Sequence, residues 1–304
     1  MNKPATSKLP SGLPMALGAY LIWGFLPLYL RQVHWVPPFE FIGWRIIWTL
    51  PLCLAAIAVR REFPVLLAAL QKPRNIVLLA LSALLIALNW TVYVIAIQSG
   101  HVFAASLGYY INPLVNVLAG TLLLGERLAR RQWLAVAIAA VGVSLLAWDA
   151  RDMLWISLTL AISFAGYGLV RKLVAVESLP GLTIESLLLL VPAALTAWYF
   201  SQGPDGSAML RGPADALWIM AGGLVTAAPL LLFAAAARRM DYSSLGMVQF
   251  VAPTLVFLIG LFVFGEPLHP VQLACFVLIW CAIAVFVWDV LAQRNARLRA
   301  EAPA

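Results

Sequence analysis

Two ionisable residues, Arg45 and Glu185, lie inside long apolar stretches of the chain. A charge held in hydrocarbon is expensive, so such residues are candidates for ion pathways, proton relays or recognition of a charged substrate. Arg45 follows Glu40 by five residues, about 8 Å along a helix axis. In a hydrocarbon core about 30 Å thick this places it in the outer part. There it can supply positive potential at an outer mouth and attract an anionic or zwitterionic substrate. Alternatively it snorkels, paired with Glu40 or stacked on Trp48 three residues on. Glu185 falls in the first turns of its stretch. It can govern the cytoplasmic mouth as a gate or by exchanging a proton, or simply meet the positive end of its helix.

Neutral polar residues at helical spacing extend the set. Asn89 and Tyr93 are four apart and share a face, as do Tyr109, Asn112 and Asn116, and again Ser163, Tyr167 and Arg171. Such stripes glue helices together or, where several converge on one cavity, touch a substrate. Asn89, Tyr93, Tyr109 and Asn112 are therefore candidate substrate contacts. Pro113 and Pro253 lie within apolar stretches. Each lacks an N–H and crowds the carbonyl four residues earlier, freeing that of Tyr109 and that of Gln249. Interrupted helices in matching positions of a repeat point to a transporter's central site. That reading makes Pro113 and Pro253 gating candidates and adds Gln249 to the substrate contacts. The plainer reading is a packing kink.

Other chemistries find little support. His34, His101 and His269 are far apart, with no His-Glu-x-x-His pattern. There is no Gly-x-Ser-x-Gly elbow and no phosphate-cradling glycine loop with lysine. Cys53, Cys275 and Cys281 lack metal-ligand spacing and read as small buried residues. The expectation is a chain without metal or cofactor and not an enzyme. The rival is a membrane-embedded enzyme acting on lipid-soluble substrates, its catalytic cluster assembled only in space. A membrane scaffold or sensor is a third reading, disfavoured because no interaction domain stands out. The net charge of +7 is spread over short gaps and forms no patch, which argues against nucleic acid.

The elements that must position these residues follow from composition. Of 304 residues 63% are hydrophobic and 11% charged, with mean hydropathy +0.93; a soluble domain carries about 25% charged residues. Ten apolar spans are predicted at about 13–30, 40–59, 76–98, 104–124, 131–148, 153–170, 182–200, 216–237, 243–264 and 270–288. Unbroken runs of about 20 residues cross lipid as helices. The first resembles a signal-peptide core but is long, holds Trp23 and Pro27 and lacks a small-residue cleavage site, so it is read as retained. Residues 60–74 place Phe63, Leu66, Leu67 and Leu70 between basic ends, a short helix lying in the interface. Residues 201–215, rich in Gly and Pro, read as a flexible outer loop.

With the N-terminus inside, sixteen basic residues fall on the cytoplasmic side against Arg31, Arg151 and Arg211 outside. This bias places both termini in the cytoplasm. The chain also repeats itself. Pro113, Leu118, Gly120, Gly125, Glu126, Leu128 and Gln132 return 140 residues later as Pro253, Leu258, Gly260, Gly265, Glu266, Leu268 and Gln272. Five spans per copy is odd, so the second copy is inserted upside down. The predicted fold is an all-α integral membrane protein of ten transmembrane helices in two inverted five-helix repeats. Residues 13–148 form the first and 153–288 the second, with cytoplasmic tails at 1–12 and 289–304. Gly125 and Gly265 suit the left-handed turn ending a helix; Glu126 and Glu266 then sit at the membrane face, terminating helices or carrying protons. Ala135 and Ala139 offer a small-residue pair for a dimer or for internal packing.

These residues resemble a family. Ala19-Tyr20-Leu21-Ile22-Trp23-Gly24, Asn89-Trp90, the run Ala105 to Asn116, Gly125-Glu126-Arg127 and Tyr167 to Lys172 are similar to the EamA branch of the drug/metabolite transporters. More narrowly they look like the RarD-type, chloramphenicol-sensitive proteins of bacterial inner membranes. The likeness runs from about Leu13 to Asp289, and Tyr110 stands where relatives carry Phe. It implies a permease driven by protons or exchange, exporting small metabolites or drugs, with Tyr109, Asn112, Asn89 and Tyr93 on helices around the pathway.

Overall fold

A computed structural model describes residues 12–99, 101–149, 151–204, 206–265 and 267–301. Among these the regular structure is all helical. Proline in the first turn starts α1 (Leu13–Leu30), α2 (Pro38–Arg60), the short α3 (Phe63–Leu70) and α4 (Pro73–Gln98), where its missing N–H leaves nothing unpaired. α5 (Val102–Leu122), α6 (Arg130–Asp149), α7 (Leu154–Leu173), α8 (Ser178–Ser201) and α9 (Pro213–Arg239) follow. The next stretch is broken: α10 (Tyr242–Gln249) and α11 (Val251–Ile259) meet at Phe250, and a π turn, Gly260–Phe264, closes it. α12 runs from Pro270 to Glu301, so the predicted tail from 289 continues as helix to Glu301.

Nine stretches of the described residues are long and apolar enough to cross a membrane, Tyr242–Phe264 counting as one of them. The 21-residue α5, with Asn112 and Asn116 in its middle, is not among the nine. Polarity is arranged for lipid. Ser82, Asn89, Asn112, Asn116, Arg171 and Glu185 are buried, while Val59, Val77, Leu84 and Phe262 face outward, each at least 65% exposed. Buried polar groups must find partners within the helix bundle, and the apolar exterior needs none.

The packing has a pattern. α1 lies against α9 and α11; α7 lies against α4 and α5. α2 packs on α8 and α9, and α4 on α8; α5 meets α10, and α6 meets α12. This pairing is unchanged when α1, α2, α4, α5 and α6 are exchanged for α7, α8, α9, α10–α11 and α12. Close approach depends on glycine at several of these seams. A Cβ on Gly223 would lie 2.6 Å from the Trp48 backbone, and one on Gly246 2.6 Å from the Pro113 carbonyl oxygen. Ala135 and Ala139, both fully buried, join Cys275, Ile279 and Ala282 in the α6–α12 core, so the small-residue pair serves internal packing.

Several local expectations meet their physical detail here. Gly125 and Gly265 adopt φ of +68° and +70°, the left-handed turns expected of them; Glu266 lies outside the described residues. α5 runs through Pro113 without interruption. Pro253 falls in the first turn of α11, where a helix N–H has no partner to lose. α3 buries Leu66 and Ala69 and exposes Phe63, Val65 and Leu67. Cys53 and Cys275 are buried, but Cys281 is exposed on α12, a correction that follows from its outward face. The loop after α8 is tied to the bundle at Ser207 and Ala208. Glu40, 1% exposed, accepts from Ser207 Oγ at 2.9 Å, Ala208 N at 2.8 Å and Trp44 Nε1 at 3.1 Å. A buried carboxylate needs donors, and the loop folds in to supply them.

Candidate functional site

A small cavity of about 20 Å³ lies where α2, α4, α8 and α9 meet. Thr49, Trp90, Glu185, Ser186 and Thr226 give it polar or aromatic character, and aliphatic side chains complete the wall. Two of its helices come from each end of the chain, and exchanging α2 with α8 and α4 with α9 returns the same four. That is room for about one water, far below the about 300–1,000 Å³ of small-molecule pockets.

Arg45 borders this cavity through its partners. Its Nε donates to Thr226 Oγ1 at 2.9 Å, and its Cζ stands 4.2 Å from the centroid of the Trp90 ring. Tyr109, Tyr29 and Tyr93 are within electrostatic reach of the guanidinium. Tyr93 and Tyr109 meet edge to face at 5.8 Å, and Tyr29 donates to the Trp218 carbonyl at 2.7 Å. All five of these side chains are partly exposed. Arg45 thus sits in an aromatic collar with accessible surface, fit to meet an anion. The alternatives of pairing with Glu40 or stacking on Trp48 are not what the geometry holds: Glu40 is taken up by the loop, and Trp90 takes the stacking position.

Glu185 stands at the other side, 2% exposed. Its Oε1 accepts from Ser82 Oγ and from Arg171 Nη1 at 3.4 Å. Arg171, fully buried, comes from α7 and Ser82 from α4. The stripe Ser163, Tyr167, Arg171 foretold a shared face, but nothing in the spacing announced that Arg171 would reach Glu185 across the α7–α8 corner.

The remaining candidates are drawn into helix contacts. Asn89 Nδ2 donates to the Leu160 carbonyl at 2.8 Å and to Ser163 Oγ at 3.0 Å, joining α4 to α7. Asn112 Nδ2 donates to the Ala161 carbonyl at 2.6 Å, and its Oδ1 accepts from Gln249 Nε2. Asn116 Nδ2 donates to Gln249 Oε1 at 2.7 Å. Asn112, Asn116 and Gln249 therefore form a buried amide cluster tying α5 to the end of α10, next to the break at Phe250. Arg45, Tyr93 and Tyr109 are brought together; Asn112 and Gln249 are brought together elsewhere; Asn89 stands apart.

Glu126 has a role that helix termination did not suggest. It accepts from Tyr242 N at 2.6 Å, Ser243 N at 2.8 Å and Ser243 Oγ at 2.7 Å, and so caps α10 from the opposite half. Lys172 Nζ lies 4.0 Å from the carboxylate and donates to the carbonyls of Ala237 at 3.0 Å and Met240 at 2.7 Å. Trp90, Thr226, Ser82 and Arg171 were absent from the candidate set; Trp90 carried a signal in the Asn89-Trp90 motif and Arg171 in its polar stripe and the run Tyr167 to Lys172, whereas Thr226 and Ser82 carried none.

A helical membrane protein with its polar groups turned inward around a small cavity has the architecture of a permease. Residues 10–148 match the model of the EamA-like transporter family. An uncharacterized transporter of Pseudomonas aeruginosa is 45% identical over 94% of this chain and 96% of its own length. The protein RarD of Salmonella typhimurium is 41% identical over 92% of this chain and 95% of its own. A protein crystal structure at 21% identity superposes with a TM-score of 0.70, covering 90% of this chain and 96% of that one, and shares the fold. The chain belongs to the EamA-like transporter family, among the RarD-type permeases, and is a multi-pass membrane transporter.

Proposed function

We propose that the chain is a secondary transporter that works by alternating access at the cavity between its two halves. The observation that carries this reading is the lining: α2 and α4 face α8 and α9 around one small space that holds Glu185, Thr49, Ser186 and Thr226, in an arrangement unchanged by exchanging the halves. Repeats of this kind rock about a fixed central site. In this reading α5 is the tenth membrane helix, residues 13–148 and 153–288 are inverted repeats, and both tails are cytoplasmic in a bacterial inner membrane.

Arg45 in its aromatic collar draws the anionic group of a small metabolite or drug, and Tyr93 and Tyr109 contact the same molecule. Asn89, Asn112 and Gln249, engaged in helix contacts here, serve the site by holding α4, α5 and α10 in register. Glu185 governs the opposite mouth, by gating or by coupling to a proton gradient or exchange. The break at Phe250, followed by Pro253, is the point where the second half flexes. Net movement is outward, and the chain is a permease without cofactor, not an enzyme. The test is a panel of metabolites and drugs offered to proteoliposomes with and without a pH gradient. Substrate-specific flux that the gradient changes supports the reading; absence of specific flux across an anion- and zwitterion-rich panel contradicts it.

A further inference from the structure

Glu185 has more hydrogen-bonding capacity than its surroundings use. Its Oε1 has Ser82 and Arg171, but its Oε2 is buried with no partner, on a side chain that borders the cavity. A full-strength charge-assisted N–H···O bond spans about 2.7–2.9 Å, so at 3.4 Å Arg171 holds the carboxylate loosely. Arg171 itself is anchored from behind. Its Nη2 donates to the Ser178 carbonyl at 3.0 Å, and the guanidinium lies against Gly181, where an added Cβ would come within 2.0 Å of Nη1. Arg171 and Tyr167 of α7 and Cys53 of α2 are the titratable groups facing Glu185. From α4 comes Ser82, and from α9 Thr226 and Leu230 share the cavity wall.

We propose that Glu185 is a proton-binding site and that Arg171 is its built-in competitor. The carboxylate is satisfied by the guanidinium or by a proton arriving from the cavity, one cation at a time. The proton bonds to Oε2, makes a neutral acid, and leaves by the same route. While it is bound, Arg171 has lost its counter-charge in a place closed to water, which is a costly state for a guanidinium. The protein relieves it by opening the α7–α8 corner until Arg171 meets water. A proton thereby becomes a force on the bundle. This deepens the transport reading and rests on it for its use, though not for the binding itself.

Proton binding is read directly in the purified full-length protein by infrared difference spectra of the carboxyl C=O band across a pH titration. Glu185→Gln removes the titrating band. Arg171→Gln, which withdraws a charge next to the carboxylate, moves its midpoint upward by about 1–3 pH units. Gly181→Ala pushes the guanidinium away with every charge retained and moves the midpoint the same way; Arg171→Lys moves it less than Arg171→Gln. A band that persists in Glu185→Gln overturns the proposal, as does one midpoint shared by wild type, Arg171→Gln and Gly181→Ala. Should Arg171→Gln fail to fold, Gly181→Ala carries the comparison. The titration needs neither substrate nor flux, so its failure is distinguishable from a failure of the proteoliposome panel.

Discussion

Replacing Glu126 with alanine removes the cap of a helix that belongs to the other half of the chain. The carboxylate accepts two of the N–H groups at the start of α10, from Tyr242 and Ser243, together with the Ser243 hydroxyl. Losing a capping side chain costs about 1 kcal/mol and up to about 2. The meeting of a carboxylate with the positive helix end contributes about 0.5 kcal/mol more. Only 13% of the Glu126 side chain is exposed, so water repairs little, and the second orphaned donor adds about 1 kcal/mol. Glu126→Ala should therefore lose about 2–3 kcal/mol. Glu126→Gln, which keeps an acceptor and loses the charge, should lose about 1 kcal/mol. At about 2–4 °C per kcal/mol for a sizeable chain, thermal unfolding in detergent should fall by about 5–10 °C for alanine and by less for glutamine. A double-mutant cycle with Ser243→Ala should show a coupling above about 0.5 kcal/mol. Wild-type melting in Glu126→Ala, or strict additivity with Ser243→Ala, would refute the capping account.

Arg45 and Glu40 occupy separate networks, so their variants should separate: Arg45→Gln weakens apparent substrate affinity with little change in melting, whereas Glu40→Gln, which loosens the Ser207–Ala208 loop, lowers melting and leaves affinity nearly unchanged. Loss of stability shared by both, with affinity intact, would remove Arg45 from the site. Because α5 is continuous and α10–α11 is broken, Pro253→Ala should reduce flux more than Pro113→Ala at equal protein abundance; equal flux in both variants and wild type would leave both prolines to packing. Cysteines at the exposed Gln202 and Arg131 should label from opposite sides of intact cells, Gln202→Cys with an impermeant reagent and Arg131→Cys only after lysis. Ser207, pinned on Glu40, is too buried to report.

The helices were legible because lipid imposes one rule on every residue of a span. The first predicted span coincides with α1, Leu13–Leu30, and the interfacial run between Arg60 and Arg74 is the helix Phe63–Leu70. The prolines were uneven guides to interruption: the chain breaks at Phe250, beside the Gln249 carbonyl that Pro253 leaves free, yet α5 runs unbroken through Pro113, since a proline marks a carbonyl at risk but neighbouring helices decide whether the chain bends. Residue type singled out Arg45 and Glu185, because charge in apolar sequence is rare. Their partners were hidden. Thr226 lies 181 residues from Arg45, and Ser82 lies 103 from Glu185; no periodicity within a span encodes which helix comes to face it. Glu126 shows the same limit, because its fixed place after Gly125 explained the turn and said nothing of α10.

Alternating access requires the halves to move against each other, and one seam allows that motion to be stopped at will. A Cβ on Gly43 of α2 would lie 3.6 Å from that of Ala197 on α8, within the span of about 3.5–4.5 Å that a disulfide bridges, and 2.9 Å from the Ala193 carbonyl oxygen, so α8 must yield slightly to admit it and the reduced variant is the control for that shift. Gly43→Cys with Ala197→Cys, in a background with the exposed Cys281 replaced, should crosslink the two halves on oxidation. The account predicts substrate-specific flux in proteoliposomes when this variant is reduced, loss of that flux when it is oxidised, and its return with reductant. Flux that is the same in the fully crosslinked and reduced protein would contradict it.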